Sequence, residues 1–205
     1  NWERGVKALY FNISGQVDFG GFANSYIRGS TTVNDGEWHH VAVVWDYSSR
    51  TSGTGKIYVD GVDDTSSSTY AANNGYKSGD TLKIGRPNYG EAPNHFDGEI
   101  DEVRIWNKAR TQAEIQTTRN SSLNGNESNL VAYYSFNDAS ANNLTSNNNN
   151  GTINGASSVN SNNESFQNKG DLKGQLSSNN KVLSLDGNGD YVRFNNTLAI
   201  GNSYT

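Results

Sequence analysis

No cysteine and no methionine occur among the 205 residues. Without cysteine there are no disulfides, no thiolate metal ligands and no cysteine nucleophile, though the compartment stays open. Without methionine Asn1 is not a translation start, so a fragment or a processed product is expected. Charge is sparse as well. Charged residues make up 18%, with 16 Lys+Arg against 21 Asp+Glu and a formal net charge of −5. That balance runs against a nucleic-acid partner, which needs net positive charge to displace phosphate counterions. No apolar run approaches the ~20 residues that span a bilayer, and no charged-then-apolar leader opens the chain. No membrane insertion is expected.

Core formers are nevertheless present. Hydrophobic residues reach 33% and aromatics 11%, too many for a disordered chain. Short apolar or alternating runs read as strands at Lys7–Ile13, Gln16–Phe19, Trp38–Asp46, Lys56–Val59, Thr81–Ile84, Glu99–Trp106, Leu130–Phe136, Lys181–Leu185 and Tyr191–Phe194. Between them stand Asp35-Gly36, Asp60-Gly61, Asn74-Gly75, Asp97-Gly98, Asn154-Gly155 and Asp186-Gly187, pairs that accept positive φ and close tight hairpins. The pattern predicts an all-β antiparallel jelly-roll sandwich. One helix interrupts it. Thr111-Gln112-Ala113-Glu114 has the capping-box spacing, and the helix is expected to end near Arg119 as a lid on the sandwich. Asp138–Asn150 and Ser157–Asn168 are crowded with Asn and Ser, which bury too little apolar area to offset ordering entropy, so they read as loops or linker.

Four motifs then appear in order: Gly36-Glu37-Trp38-His39-His40-Val41-Ala42-Val43-Val44-Trp45-Asp46, Lys56-Ile57-Tyr58-Val59-Asp60-Gly61, Leu82-Lys83-Ile84-Gly85, and Phe96-Asp97-Gly98-Glu99-Ile100-Asp101-Glu102-Val103-Arg104-Ile105-Trp106-Asn107. Together they resemble a laminin-G-like, pentraxin-type domain of the concanavalin A-like jelly-roll superfamily. The resemblance runs from about Val6 to Phe136 and again from Val182 onward. In such domains a segment like Val182–Phe194 opens the fold; here it closes the chain. The order therefore resembles the back of one repeat followed by the front of the next, or a circular permutation. Three parts are expected: 1–136 as the main sandwich, 137–180 as an Asn/Ser-rich connector, and 181–205 as the opening strands. A sandwich lacking a strand leaves unpaired edges. Either the front of this chain completes its own back, or it completes a neighbouring copy and builds a head-to-tail fibre.

The resemblance also bears on chemistry. Glu99-Ile100-Asp101 is similar to the start of the carboxylate strand of laminarinase-type glycosidases, and alternation puts Glu99, Asp101 and Val103 on one face. A retaining glycosidase needs both an acid/base and a nucleophile. Val103 stands where the acid/base carboxylate would be, so no catalysis is expected. The resemblance instead gives Asp101 a structural calcium. Asp186-Gly187-Asn188-Gly189-Asp190 offers further oxygens at alternate positions for that hard cation. It is no EF-hand, because Tyr191 and Thr197 occupy the sixth and twelfth places, and a plain turn capped by its own acids stands as the other reading.

His39 and His40, adjacent in a predicted strand, point to opposite faces and read as packing and hydrogen-bonding residues, while Trp38, Trp45 and Trp106 read as core. For a glycan or other surface ligand the loop candidates are Tyr76, Arg86, Asn88, Tyr89 and His95, beside predicted strand ends. The expected function is a secreted or cell-surface, non-catalytic laminin-G-like module of a bacterial surface protein, acting in adhesion or ligand binding. The alternative is a structural repeat that stacks into a surface filament.

Overall fold

The computed structural model describes residues 7–21, 26–49, 52–69, 81–86, 95–160, 181–194 and 203–204. The chain forms two compact units. Unit 1 comprises Asn1–Ser78, Trp106–Ser121 and Ile200–Thr205; unit 2 comprises Gly79–Ile105 and Ser122–Ala199.

In unit 1, strands β1 (Lys7–Phe11), β2 (Gln16–Gly21), β3 (Tyr26–Thr32) and β7 (Thr65–Thr69) form one antiparallel sheet in the order β1-β2-β3-β7. A second sheet has the order β16-β4-β5-β6, from β4 (Val41–Ser49), β5 (Ser52–Val59), β6 (Val62–Asp63) and β16 (Ser203–Tyr204). Strand alternation explains how they pack. Val17 and Ile27 of the first sheet meet Trp45, Ile57 and Val59 of the second in one core cluster. Ile27 and Ile57 are wholly buried, each worth about 1.5–3 kcal/mol relative to exposure. The opposite face of β4 and β5 is apolar too. There Val44 and Tyr58 pack against Ile115 of α1 (Gln112–Thr118), the only helix among the described residues.

That helix begins as its spacing predicts. The Glu114 amide donates to the Thr111 hydroxyl, and the Thr111 amide donates to the Glu114 carboxylate at 2.7 Å. The Thr111 amide, with Lys108, holds Glu114 down at about 2. Gln112 and Gln116 then donate to the Gly61 carbonyl at 3.1 and 2.9 Å, fastening the helix to the β5–β6 turn. Asp60 (φ 51°) and Gly61 (φ 79°) give that turn the two positive φ values a tight hairpin requires.

Unit 2 contains three small sheets. One has the order β12-β15-β8, from β8 (Lys83–Ile84), β12 (Gly151–Asn154) and β15 (Tyr191–Phe194). Another has the order β13-β14-β9, from β9 (Asp97–Ile100), β13 (Ser157–Asn160) and β14 (Lys181–Asp186). The third pairs β10 (Val103–Trp106, whose last residue counts with unit 1) with β11 (Leu130–Tyr134), whose five residues are all buried. Tyr134 packs on Phe194 with ring centroids 4.7 Å apart. The all-β antiparallel class with one short helix is therefore the observed one.

Several expectations change in detail. Glu99–Trp106 is two strands, not one, because Glu102 adopts φ 54° and interrupts the ladder, so Val103 does not continue the face of Glu99. Asp97-Gly98 is no hairpin turn; it lies inside β9, paired with Asp186 and Leu185. Residues 38–40 precede β4, so the opposite-face argument for the histidines does not apply. Ser157–Asn160, expected as loop, is strand β13, because β14 supplies a full ladder for it (Ser157↔Ser184, Asn160↔Lys181). Strands β3, β6, β7, β12 and β16 went unpredicted. Asn74-Gly75 and residues 161–168 lie outside the described residues. Within this chain the closing segment pairs with earlier strands, β14 with β9 and β15 with β8.

Candidate functional site

One end of unit 2 gathers most of the described candidates. The rung between the Phe96 amide and the Gly85 carbonyl (2.8 Å) brings the chain after β8 beside the chain entering β9. Arg86 and His95 therefore leave the same rung. Gly85 (φ 91°) sits so close to the β14–β15 hairpin that a Cβ there would lie 2.3 Å from Leu185 Cδ2 and 3.1 Å from the Asp190 carbonyl. A larger residue would push the Arg86 loop off the turn.

From this position the Arg86 guanidinium stacks over the Tyr191 ring, 4.7 Å from its centroid. Its Nε–H is buried without a hydrogen-bond partner, and among the described residues Arg86 forms no ion pair. A guanidinium has five donors in a fixed fork and no acceptor. Leaving them unspent in a half-buried place is costly. Arg86 thus has a rigid mount and an unused recognition edge.

The turn beside it is held by its own acids. Asp190, 7% exposed, accepts from the Asp186 amide at 2.8 Å, and Asp186 accepts from the Asn188 amide at 2.8 Å. Asp101 does not join them. Register places Asp97 opposite Asp186, with Ile100 opposite Leu183, so Asp101 follows the far end of β9. Among the described residues no group of three or more His, Asp or Glu side chains is arranged to hold a metal ion. The four residues named for calcium do not make one ligand set.

Asp101 belongs to a different cluster. It accepts from the Glu102 amide at 2.8 Å, and burial, reinforced by the Glu102 charge, pushes its carboxyl up to about 8. Glu102 in turn accepts from the Tyr133 hydroxyl at 2.7 Å and from Arg104 at 2.5 Å. His39, in unit 1, is a hydrogen-bonding residue as expected. Its Nδ1 lies 2.9 Å from Asp60 and its Nε2 3.2 Å from Asp35, and both contacts are donor bonds only when both ring nitrogens carry protons. Trp45 and Trp106 are buried; Trp38 is half-buried. Tyr76, Asn88 and Tyr89 lie outside the described residues. Tyr191 was read only as a strand residue. The signal that distinguishes it is register, which its own segment does not carry.

Comparison with known proteins yields the following. A laminin-G family model of the concanavalin A-like lectin/glucanases superfamily matches residues 4–116, somewhat over half of the chain. The rat (Rattus norvegicus) protein "Sushi, von Willebrand factor type A, EGF and pentraxin domain-containing protein 1" is 27% identical over 100 residues, covering 46% of this chain and 3% of that protein. Human (Homo sapiens) neuronal pentraxin-1 is 26% identical over 106 residues, covering 49% of this chain and 24% of that protein. The matches thus span a small part of either relative's length. No solved structure matches at the same stringency.

Proposed function

Because the chain belongs to the concanavalin A-like lectin/glucanases superfamily, we propose that it is a non-catalytic laminin-G-like module of a bacterial surface protein. It works outside the cell, in adhesion or in binding a glycan or other surface ligand. The observation that carries this reading is the end of unit 2, where Arg86 stacks on Tyr191 beside the Asp186–Asp190 turn and His95 leaves the same rung of a strand scaffold. Recognition residues concentrate on such loops. The break at Glu102 supports the non-catalytic part, since it removes the strand alternation that would line carboxylates along one sugar. No helix among the described residues is long and apolar enough to cross a membrane.

Calcium enters the reading only as a structural ion on the turn, where Asp186 and Asp190 each keep one carboxylate oxygen not bonded to the turn's amides. A melting temperature unchanged by chelator removes it. Saturable retention on an immobilised polysaccharide, weakened by Arg86→Ala, is the expected result for the module; no retention on any polysaccharide sinks it. The alternative, head-to-tail stacking, is separated by light scattering. The pairing of β14 and β15 with β9 and β8 of the same chain favours a closed monomer near 22.3 kDa. Open-ended species would favour the filament.

A further inference from the structure

Four Asn-Gly pairs fall among the described residues: Asn124-Gly125, Asn150-Gly151, Asn154-Gly155 and Asn188-Gly189. This dipeptide carries a reaction of its own. The amide nitrogen after an asparagine can attack the side-chain carbonyl carbon, and glycine hinders the attack least because it has no Cβ. The nitrogen must be free and the side chain must swing over it, a near-attack geometry that fixed hydrogen bonds prevent. Three of the four pairs are locked. The Gly125 amide donates to one Glu127 carboxylate oxygen at 3.0 Å, and the Asn124 amide to the other at 2.7 Å. The Gly151 amide donates to the Ala141 carbonyl at 2.8 Å, while Asn150 Oδ1 accepts from the Asn143 amide at 2.9 Å. Asn154 lies in β12, laddered to Tyr191, and its Nδ2 donates back to the Thr152 carbonyl at 3.0 Å. Gly155 after it is packed so closely that a Cβ would lie 2.1 Å from Asp190 Oδ1. Asn188-Gly189 is different. It forms the tip of the turn between β14 and β15, both residues are exposed, and a Cβ on Gly189 would meet nothing within 4 Å. Asp186 holds the Asn188 amide, but among the described residues neither the Asn188 side chain nor the Gly189 amide has a hydrogen-bond partner.

We propose that Asn188 is a self-modifying site, converted through the Gly189 amide to aspartate or isoaspartate with water as the one co-reactant. The Gly189 nitrogen gives up its proton and bonds to Asn188 Cγ. The Cγ–Nδ2 bond breaks, ammonia leaves with that proton, and a cyclic imide remains. Water then opens the ring. Added at Cγ, it restores the ordinary backbone with an aspartate side chain; added at the main-chain carbonyl, it leaves isoaspartate, with the chain running through Cγ. Either product puts a third carboxylate into a turn that already holds Asp186 and Asp190, with Asp97 opposite Asp186 on β9. The turn also borders the mount of Arg86, because Gly85 lies against the Asp190 carbonyl. The conversion is slow, uncatalysed and one-way, so older molecules carry a more negative turn beside that arginine.

The test holds the folded chain and the guanidinium-unfolded chain in the same warm, mildly alkaline buffer and maps both with trypsin and mass spectrometry. Asn188 falls in the peptide Val182–Arg193, which has no other asparagine. Asn124, Asn150 and Asn154 fall together in Asn120–Lys169 and are told apart by fragmentation. Unfolded, all four should convert alike. Folded, Asn188 should keep close to its unfolded rate. The other three should slow at least about tenfold, the factor that ~1.4 kcal/mol of local stability supplies. The converted Val182–Arg193 peptide should elute as an aspartate and isoaspartate pair, and Asn188→Gln should abolish it. Aspartate alone would mean direct hydrolysis and overturn the part given to Gly189. Slowing of Asn188 on folding as strong as that of the other three, or conversion of any of them as fast as Asn188 in the folded chain, overturns the inference. Neither outcome touches the module reading.

Discussion

Among the described residues three arginines lie over tyrosine rings, and two of them, Arg28 and Arg86, are otherwise opposites. In unit 1, Arg28 stacks 4.8 Å from the Tyr26 ring centroid and grips Asp18 through Nε at 2.8 Å and Nη2 at 2.6 Å. Asp18 is 1% exposed, with Asn12 as a longer third partner at 3.3 Å. In unit 2, Arg86 has the same mount on Tyr191 but, among the described residues, no acid to grip. The mount alone therefore says little about role. What distinguishes a structural arginine from one available for recognition is how many of its donors the fold has already used.

The largest expected effect breaks the structural side of this comparison. Arg28→Ala leaves a buried carboxylate with only a weak partner, and should cost about 3 kcal/mol in urea unfolding. Arg86→Ala should cost well under 1 kcal/mol, since no hydrogen bond is lost. A similar loss from both would erase the distinction.

A second effect concerns Asp101, whose carboxyl is held near 8 in the folded chain against about 3.9 unfolded. The folded state then binds the extra proton between those values. The stability contributed by Asp101 is fully present below about pH 4 and is lost as pH rises through 8. Asp101→Asn should flatten that decline and raise the melting temperature in mildly alkaline buffer. A wild-type melting temperature that rises over this range would contradict the buried, protonated carboxyl. Smaller again, Thr111→Ala removes the cap of α1 and should cost about 1 kcal/mol, read from the same urea titration.

These predictions also separate what the residues reveal locally from what only pairing reveals. The Thr111–Glu114 cap and the Asp60-Gly61 turn were legible because each is decided within four residues. The two-sided burial of β4 was legible because Val41–Trp45 is apolar without a gap. Register was not legible. Nothing near Asp186 says that Asp97, and not Asp101, stands opposite it, and nothing near Ser157 says that Lys181–Ser184 awaits it as a ladder. Glu102 shows a different limit: its left-handed conformation accompanies the hydrogen bonds to Tyr133 and Arg104, one of which is 31 residues away. Arg86 was named from its place beside a strand end, but its unused donors and its neighbours Lys83 and Arg193 become visible only once β8 and β15 are paired.

The most direct measurement crosses Arg28 and Arg86 with two readouts, taking Arg28→Gln and Arg86→Gln through urea unfolding and through binding to whichever immobilised polysaccharide retains the wild-type chain. Arg28→Gln should lose stability and keep its affinity below the unfolding midpoint, while Arg86→Gln should keep its stability and lose about tenfold in affinity. If Arg28→Gln loses the affinity, or Arg86→Gln loses the stability, the assignment of the two roles is wrong.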